Sequence, residues 1–181
     1  MYARHIKKGI SEVGIQDWGR RLFDSLIPLP DGTSYNSYLV QGSEKTAIID
    51  TVDPEFREVY LENLNELPKL DYIITLHSEQ DHSGTIPMLL KRFPEAEVIC
   101  SSKAKDLLVE HLLLDPAKIR TVADGEIISL GDKTLRFIYT PWVHWPETMV
   151  AYMQEERILF SCDFLGSHSA GSELFDNDEP A

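Results

Sequence analysis

Between residues 77 and 82 the chain reads HSEQDH, which sets His77, Glu79, Asp81 and His82 within six positions. Two imidazoles and two carboxylates that close together can move protons or hold a metal ion. The plain alternative is a solvated turn whose polar groups face water. Two arguments favour the metal. The stretch follows the apolar run DYIITL and precedes a helix start at Ser83-Gly84, so it sits at a packed edge and not on a free loop tip. At such an edge, two carboxylates about 4 Å apart with an effective dielectric near 20 repel by roughly 4 kcal/mol, a cost that a bound cation removes. Imidazole with carboxylate and no thiolate suits iron, zinc or manganese, whereas calcium and magnesium favour shells of oxygen alone.

Two further residues extend the set. His144 lies between Trp142 and Trp145 in TPWVHWPET, and Asp163 closes ILFSCD. Alone, the first reads as a core histidine and the second as a turn or helix cap. Beside the first cluster both become candidate ligands. Glu79, Asp81 and Asp163 nearly balance the charge of two divalent ions, so the expectation is a binuclear centre bridged by Asp163.

The elements that must position these groups follow from periodicity. TSYNSYLVQGSEKTAIIDT reads as a hairpin turning at Gly42-Ser43-Glu44-Lys45. A helix follows, capped by Asp53, with Pro54 in its first turn. Its apolar face is Phe56, Val59, Tyr60, Leu64 and Leu67, and Pro68 stops it. DYIITL has the continuous apolar character of a strand buried on both faces. A helix through IPMLLKRF, a strand EVICSS and a helix SKAKDLLVEHLLL ended by Asp115-Pro116 come next. From residue 119 the chain is β-rich, with turns at Gly131-Asp132 and at Gln154-Glu155-Glu156-Arg157, and the last six residues, DNDEPA, read as a frayed end. Asp50, His77, His144 and Asp163 each stand at or just beyond the end of a strand-like run, the place where layered α/β proteins assemble their sites.

Composition narrows the partners. The 181 residues carry 30 acidic against 17 basic side chains, a formal charge of -13. Nucleic acid is therefore not an expected partner, because phosphate binding relies on Lys/Arg patches. No segment has the roughly 18 to 20 apolar residues of a membrane span, and the start lacks the apolar stretch of a signal peptide, so a cytoplasmic protein is expected. Cys100 and Cys162 form no C-x-x-C pair, and two buried, inert thiols are expected.

Taken together, GTSYNSYLV, IIDT, HSEQDHSG, VHWPETM and FSCDFLGSH, spread from about Leu26 to Phe175, resemble the metallo-β-lactamase superfamily and most closely its flavodiiron proteins. The superfamily motif is H-x-H-x-D-H, and glutamate replaces its second histidine in the flavodiiron members, as Glu79 does here. The resemblance implies an α/β fold, an αββα sandwich, with residues 1–181 as the diiron domain and its second half incomplete at the C-terminus. It implies that His77, Glu79 and His144 bind one iron, that Asp81 and His82 bind the other, and that Asp163 bridges them. Asp50, His168 and Trp145 would support these ligands from the next layer out. The implied reaction is reduction of dioxygen to water or of nitric oxide to nitrous oxide, with Trp142 and Trp145 as walls that limit water access. The implied partners are FMN in a flavodoxin-like domain, a rubredoxin-type donor and a head-to-tail homodimer.

The chain departs from this pattern in two ways. A later histidine that completes the second iron's shell and the flavodoxin-like domain itself are not found in the 181 residues. Two other readings therefore stand beside the reductase. One is a zinc hydrolase using a metal-bound hydroxide with a pKa near 7, and the other is a diiron module that binds oxygen without turnover. Glu79 separates them, since a hard anionic oxygen stabilises ferric iron while zinc has no redox state to stabilise.

Overall fold

The computed structural model describes residues 3–175, and the expected frayed end, 176–181, lies outside them. The N-terminal third forms short strands: β1 (Arg4–Lys7), β2 (Ile10–Glu12), β3 (Ile15–Asp17), β4 (Leu22–Phe23), β5 (Ile27–Pro28) and β6 (Thr33–Tyr35). The expected hairpin follows as β7 (Tyr38–Gln41) and β8 (Thr46–Ile49), paired antiparallel from Tyr38–Ile49 to Gln41–Thr46. Its turn closes through Gly42 N–H donating to Lys45 O at 2.9 Å and is clamped by Leu130 O, which accepts from Glu44 N and Lys45 N. A Cβ on Gly42 would stand 2.0 Å from that same oxygen, so only glycine fits there.

Asp53 caps the next element through its Oδ1, which accepts from Glu55 N at 3.0 Å. The element begins as a 3-10 turn over Pro54–Phe56 and becomes α1 over Arg57–Asn63, so it stops well before Pro68. The reason lies in a distant residue. The Arg92 guanidinium donates to Leu61 O, Leu64 O and Asn65 O, satisfying the carbonyls that end the helix. Val59, expected on the inner face, is half exposed, whereas Tyr60 and Leu64 are buried.

The run DYIITL yields β9 (Tyr72–Ile74), which lies between β8 and β10 (Glu97–Ser101) and is parallel to both, as its unbroken apolar character requires. Two short helices, α2 (Gln80–Ser83) and α3 (Ile86–Arg92), join β9 to β10. Then α4 (Ser102–Leu112) leads to β11 (Ile119–Val122), ending at the left-handed residue Leu113 (φ 54°) instead of at Asp115-Pro116. The large sheet has seven strands in the order β1-β2-β7-β8-β9-β10-β11. A second, fully antiparallel sheet is β12 (Ile127–Ser129), β13 (Thr134–Tyr139), β14 (Met149–Met153) and β15 (Ile158–Phe160), in that order.

Two cores hold the layers. Leu39, Ile48, Ile73 and Val98 on one face of the large sheet pack against Tyr60, Leu64, Leu89 and Leu108 of the helices. On the other face Val40, Ile49, Ile74 and Ile99 meet Leu135, Phe137, Met149 and Met153 of the second sheet. Among the described residues the layering is thus helix, sheet, sheet. No helix among them is long and apolar enough to cross a membrane.

Candidate metal centre

The expected site residues converge at the ends of β8, β9, β13 and β15. His77 follows β9 by three residues and is wholly buried. Glu79, two positions on, is extended (φ -61°, ψ 152°) and turns its carboxylate back to the His77 ring, Oε2 lying 3.0 Å from Nε2. Asp81 and His82 then stand on the single turn of α2, which displaces them to the neighbouring side. His144 comes from the loop between β13 and β14, and Asp163 from the loop after β15.

Four atoms define a first group. His77 Nε2 lies 3.0 Å from Glu79 Oε2 and 3.7 Å from Asp163 Oδ2, and His144 Nε2 lies 3.5 Å and 3.0 Å from the same two oxygens. One donor atom from each of the four residues falls within 4.8 Å of all the others. Ligands about 2.1 Å from an ion stand about 3.0 Å apart in an octahedral shell and about 3.4 Å apart in a tetrahedral one. The spacing therefore fits one ion. His82 Nε2 begins a second group, 2.9 Å from Asp163 Oδ1 and 3.8 Å from Asp81 Oδ2. Asp163 thus offers Oδ2 to one group and Oδ1 to the other.

Protons now hold this set together. Burial works against a charged His77, but the carboxylates of Glu147 and Glu79 outweigh it and lift the pKa to about 9. The same contest leaves His82 well above the ordinary histidine value, its partners being Asp163 and Asp50. Asp163, partly desolvated though its side chain reaches the surface, is held far below the usual carboxylate range by His82, His77 and His144. Asp81 is the exception: burial raises its pKa, and Glu79 and Asp163 add to the rise against the opposing effect of His82. Its Oδ1 is buried without a hydrogen-bond partner. A buried, unpartnered carboxylate oxygen facing other carboxylates is what a cation would relieve.

Supporting residues occupy the layer behind. Asp50 Oδ1 accepts from Leu76 N at 2.8 Å, and its Oδ2 lies 3.2 Å from His82 Nδ1, so Asp50 ties the end of β9 to the second group. Trp145 sets its ring edge-on to His77 at 5.0 Å between centroids. His168 pairs with Thr33 Oγ1 at 3.0 Å and packs on Phe23; it lines the adjoining cavity and adds no atom to either group. That cavity, about 560 Å³, is bounded by Tyr35, Tyr38, Leu76, Phe160 and Cys162 besides the site itself. Trp142 does not form a wall: its side chain is 73% exposed, because the loop turns it outward while Trp142 N donates to Trp145 O.

Sequence reasoning overlooked Glu147. It is buried, and its Oε1 accepts from Ser78 N at 3.0 Å and Ser78 Oγ at 2.7 Å while standing 2.8 Å from His77 Nδ1. The one available signal was an acid three residues after His144 inside an otherwise apolar and aromatic stretch.

The chain resembles proteins of known kind over nearly its whole length. It is 40% identical over 178 residues to the type A flavoprotein fprA of Rhodobacter capsulatus, covering 95% of this chain and 41% of that protein. It is 38% identical over 180 residues to an anaerobic nitric oxide reductase flavorubredoxin of Vibrio vulnificus, covering 97% of this chain and 36% of that one. The rubredoxin oxygen:oxidoreductase of Desulfovibrio gigas superposes with a TM-score of 0.93 at 34% identity, over 98% of this chain and 45% of the other. A flavoprotein of Thermotoga maritima gives 0.90 at 33% identity over similar shares, 98% and 45%. The chain therefore spans about two fifths of the length of the curated relatives it matches, and the shared fold is the flavodiiron metallo-β-lactamase-like core. The sequence profile described as ODP family beta lactamase matches residues 33–179, and the chain belongs to that family.

Proposed function

We propose that residues 1–181 are the diiron unit of an oxidoreductase that reduces dioxygen to water, nitric oxide to nitrous oxide, or both. The observation that carries this reading is the division of Asp163, whose two oxygens face two separate groups of donors 2.9 to 3.7 Å away. A carboxylate that turns each oxygen to a different group of donors is arranged to bridge two ions and not to chelate one. In this reading His77, Glu79 and His144 hold one iron, Asp81 and His82 hold the second, and Asp163 bridges.

Each residue then has a task. Ferrous ions held by these residues would supply electrons for reducing a bound gas molecule. Glu79, a hard anionic donor, would favour a higher oxidation state of a bound iron over the zinc alternative and so suits redox use better than hydrolysis. Asp50 holds the His82 ring by its Nδ1 side and leaves Nε2 for the ion. The cavity beside the site admits a diatomic substrate, and buried Leu76 and Phe160 keep part of its wall apolar.

The kinds of relative found, a flavoprotein, a nitric oxide reductase flavorubredoxin and a rubredoxin oxygen:oxidoreductase, support a flavin and a rubredoxin-type donor as electron sources. The same proposal includes FMN in a flavodoxin-like domain and a head-to-tail homodimer that would bring the flavin of one subunit to the iron of the other. A cytoplasmic setting belongs to the same proposal, and two free cysteines fit a reducing compartment.

Anaerobic reconstitution tests it. Protein loaded with ferrous iron should retain two irons per chain after desalting, and should consume dioxygen or nitric oxide when a reduced flavodoxin-type donor is supplied. Retention of two zincs with hydrolytic activity that survives iron loading would overturn the reading.

A further inference from the structure

Glu147 has no part in the reading above, yet its side chain is wholly buried against His77 and Ser78. Three groups address its Oε1: Ser78 N, Ser78 Oγ and His77 Nδ1. Ser78 N can only donate, and an ionised carboxylate only accepts. Three bonds converging on one buried oxygen therefore require the anion, and Nδ1 must be the nitrogen that carries the proton. Nε2 is the nitrogen that faces Glu79 Oε2 and Asp163 Oδ2, and so the one a metal would take in exchange for a proton.

The backbone of the same residue is anchored as well. Glu147 O accepts from Ser101 Oγ at 2.7 Å, and Ser101 Oγ in turn accepts from Ala104 N at the start of α4. The loop that carries His144 is closed at its base by Thr140 N donating to Thr148 O at 3.0 Å. Glu147 sits at that base, three residues from His144. One loop thus delivers one histidine of the first group and orients the other, although His77 and Glu147 are 70 residues apart.

We infer that Glu147 is a positioning residue that fixes the Nδ1–H form of His77 and thereby aims Nε2 at the first metal. This rests on the reading of His77 as a ligand. Carboxylate partners of metal-bound histidines typically change metal affinity about 10 to 100-fold.

The test is zinc titration of the ¹⁵N-histidine-labelled protein, followed by NMR, with metal affinity measured by chelator competition. In the wild type, zinc should shift His77 Nε2 and leave a strongly deshielded, exchange-protected Nδ1 proton. Glu147→Gln keeps an acceptor but loses the charge, so that proton should remain, move upfield, and accompany an affinity loss of about tenfold. Glu147→Met should lose the signal and about 100-fold in affinity, with the His144 resonances still shifted by zinc. Should Glu147→Met not fold, the Gln variant decides, since an unmoved Nδ1 resonance and unchanged affinity there would overturn the positioning role. Wild-type protein whose His77 ring does not respond to zinc overturns the ligand reading itself, whereas a responsive wild type with an indistinguishable variant overturns only the role of Glu147.

Discussion

Removing the charge of Asp81 should stabilise the metal-free protein while weakening its hold on metal. Asp81 Oδ1 is buried without a partner, the nearest histidine nitrogen stands 3.8 Å from Oδ2, and burial together with Glu79 and Asp163 raises the pKa against the opposing pull of His82 and its own backbone N–H. Holding a buried charge among like charges with so little compensation costs about 1 to 3 kcal/mol. Asp81→Asn has nearly the same shape and no charge, so it should recover about that much. For a domain of this size 1 kcal/mol is about 2 to 4 °C in Tm, which predicts a rise of about 2 to 12 °C in chelator-treated protein. Metal narrows the lead. At a concentration of 100 Kd the wild type gains about 2.7 kcal/mol, whereas a variant binding about 100-fold more weakly gains about 0.4 kcal/mol. Because the folded pKa of Asp81 is raised, the wild-type penalty is present above that pKa and disappears as pH falls below the unfolded value near 3.9, so the lead should also shrink in acid. Thermal unfolding followed by circular dichroism, with and without metal and across pH, measures all three effects. Metal-free Asp81→Asn protein no more stable than the wild type, or a lead unaffected by metal, would refute the reasoning.

Other perturbations have equally definite outcomes. Phe137 is wholly buried between the two sheets, so Phe137→Ala should cost about 3 to 5 kcal/mol in urea unfolding, and a loss below about 1 kcal/mol would show that this core yields. Arg20 donates to Tyr35 Oη at 2.8 Å and Asp53 Oδ2 at 3.0 Å, joining the N-terminal strands to the start of α1; Arg20→Ala should cost about 1 to 3 kcal/mol, and equal denaturation midpoints would count against the link. Burial pushes the thiols of Cys100 and Cys162 up to about 12. Cys100 is buried, whereas Cys162, expected to be buried too, is only half-buried on the cavity wall; Ellman's reagent at mildly alkaline pH should therefore leave native Cys100 unlabelled and react only slowly at Cys162, and rapid labelling of both would contradict the desolvation that raises their pKa values. Asp50→Ala should lower metal affinity about 10 to 100-fold, read by chelator competition, since it releases both His82 and Leu76 N.

Local chemistry already determined much of this protein. The spacing of His77, Glu79, Asp81 and His82 marks a site whatever the rest of the chain does, because residues one to five positions apart cannot be far apart in space. The unbroken apolar run DYIITL marks a strand covered on both faces, and β9 lies between two parallel neighbours. Patterns were weaker where strands are short. The segments β1 to β5, of two to four residues each, offer too few positions for a period of two to show, and distant partners such as β7, across from β2, stabilise them. The early end of α1 also came from outside the segment, through Arg92.

Tertiary structure alone decided how the candidate ligands divide. That Asp163 turns one oxygen to His144 and the other to His82 depends on where three loops meet. That Trp145 lies against His77 while Trp142 points outward depends on the hydrogen bonds of one loop, although both share the same sequence neighbourhood. The pairing of Glu147 with His77 spans 70 positions and has no local signature, since a buried carboxylate finds its partner by desolvation and geometry and not by distance along the chain. Residue types and short-range spacing state which chemistry is available; packing of the two sheets states which atoms face one another, because only close approach in a water-poor interior makes these interactions strong enough to select one arrangement.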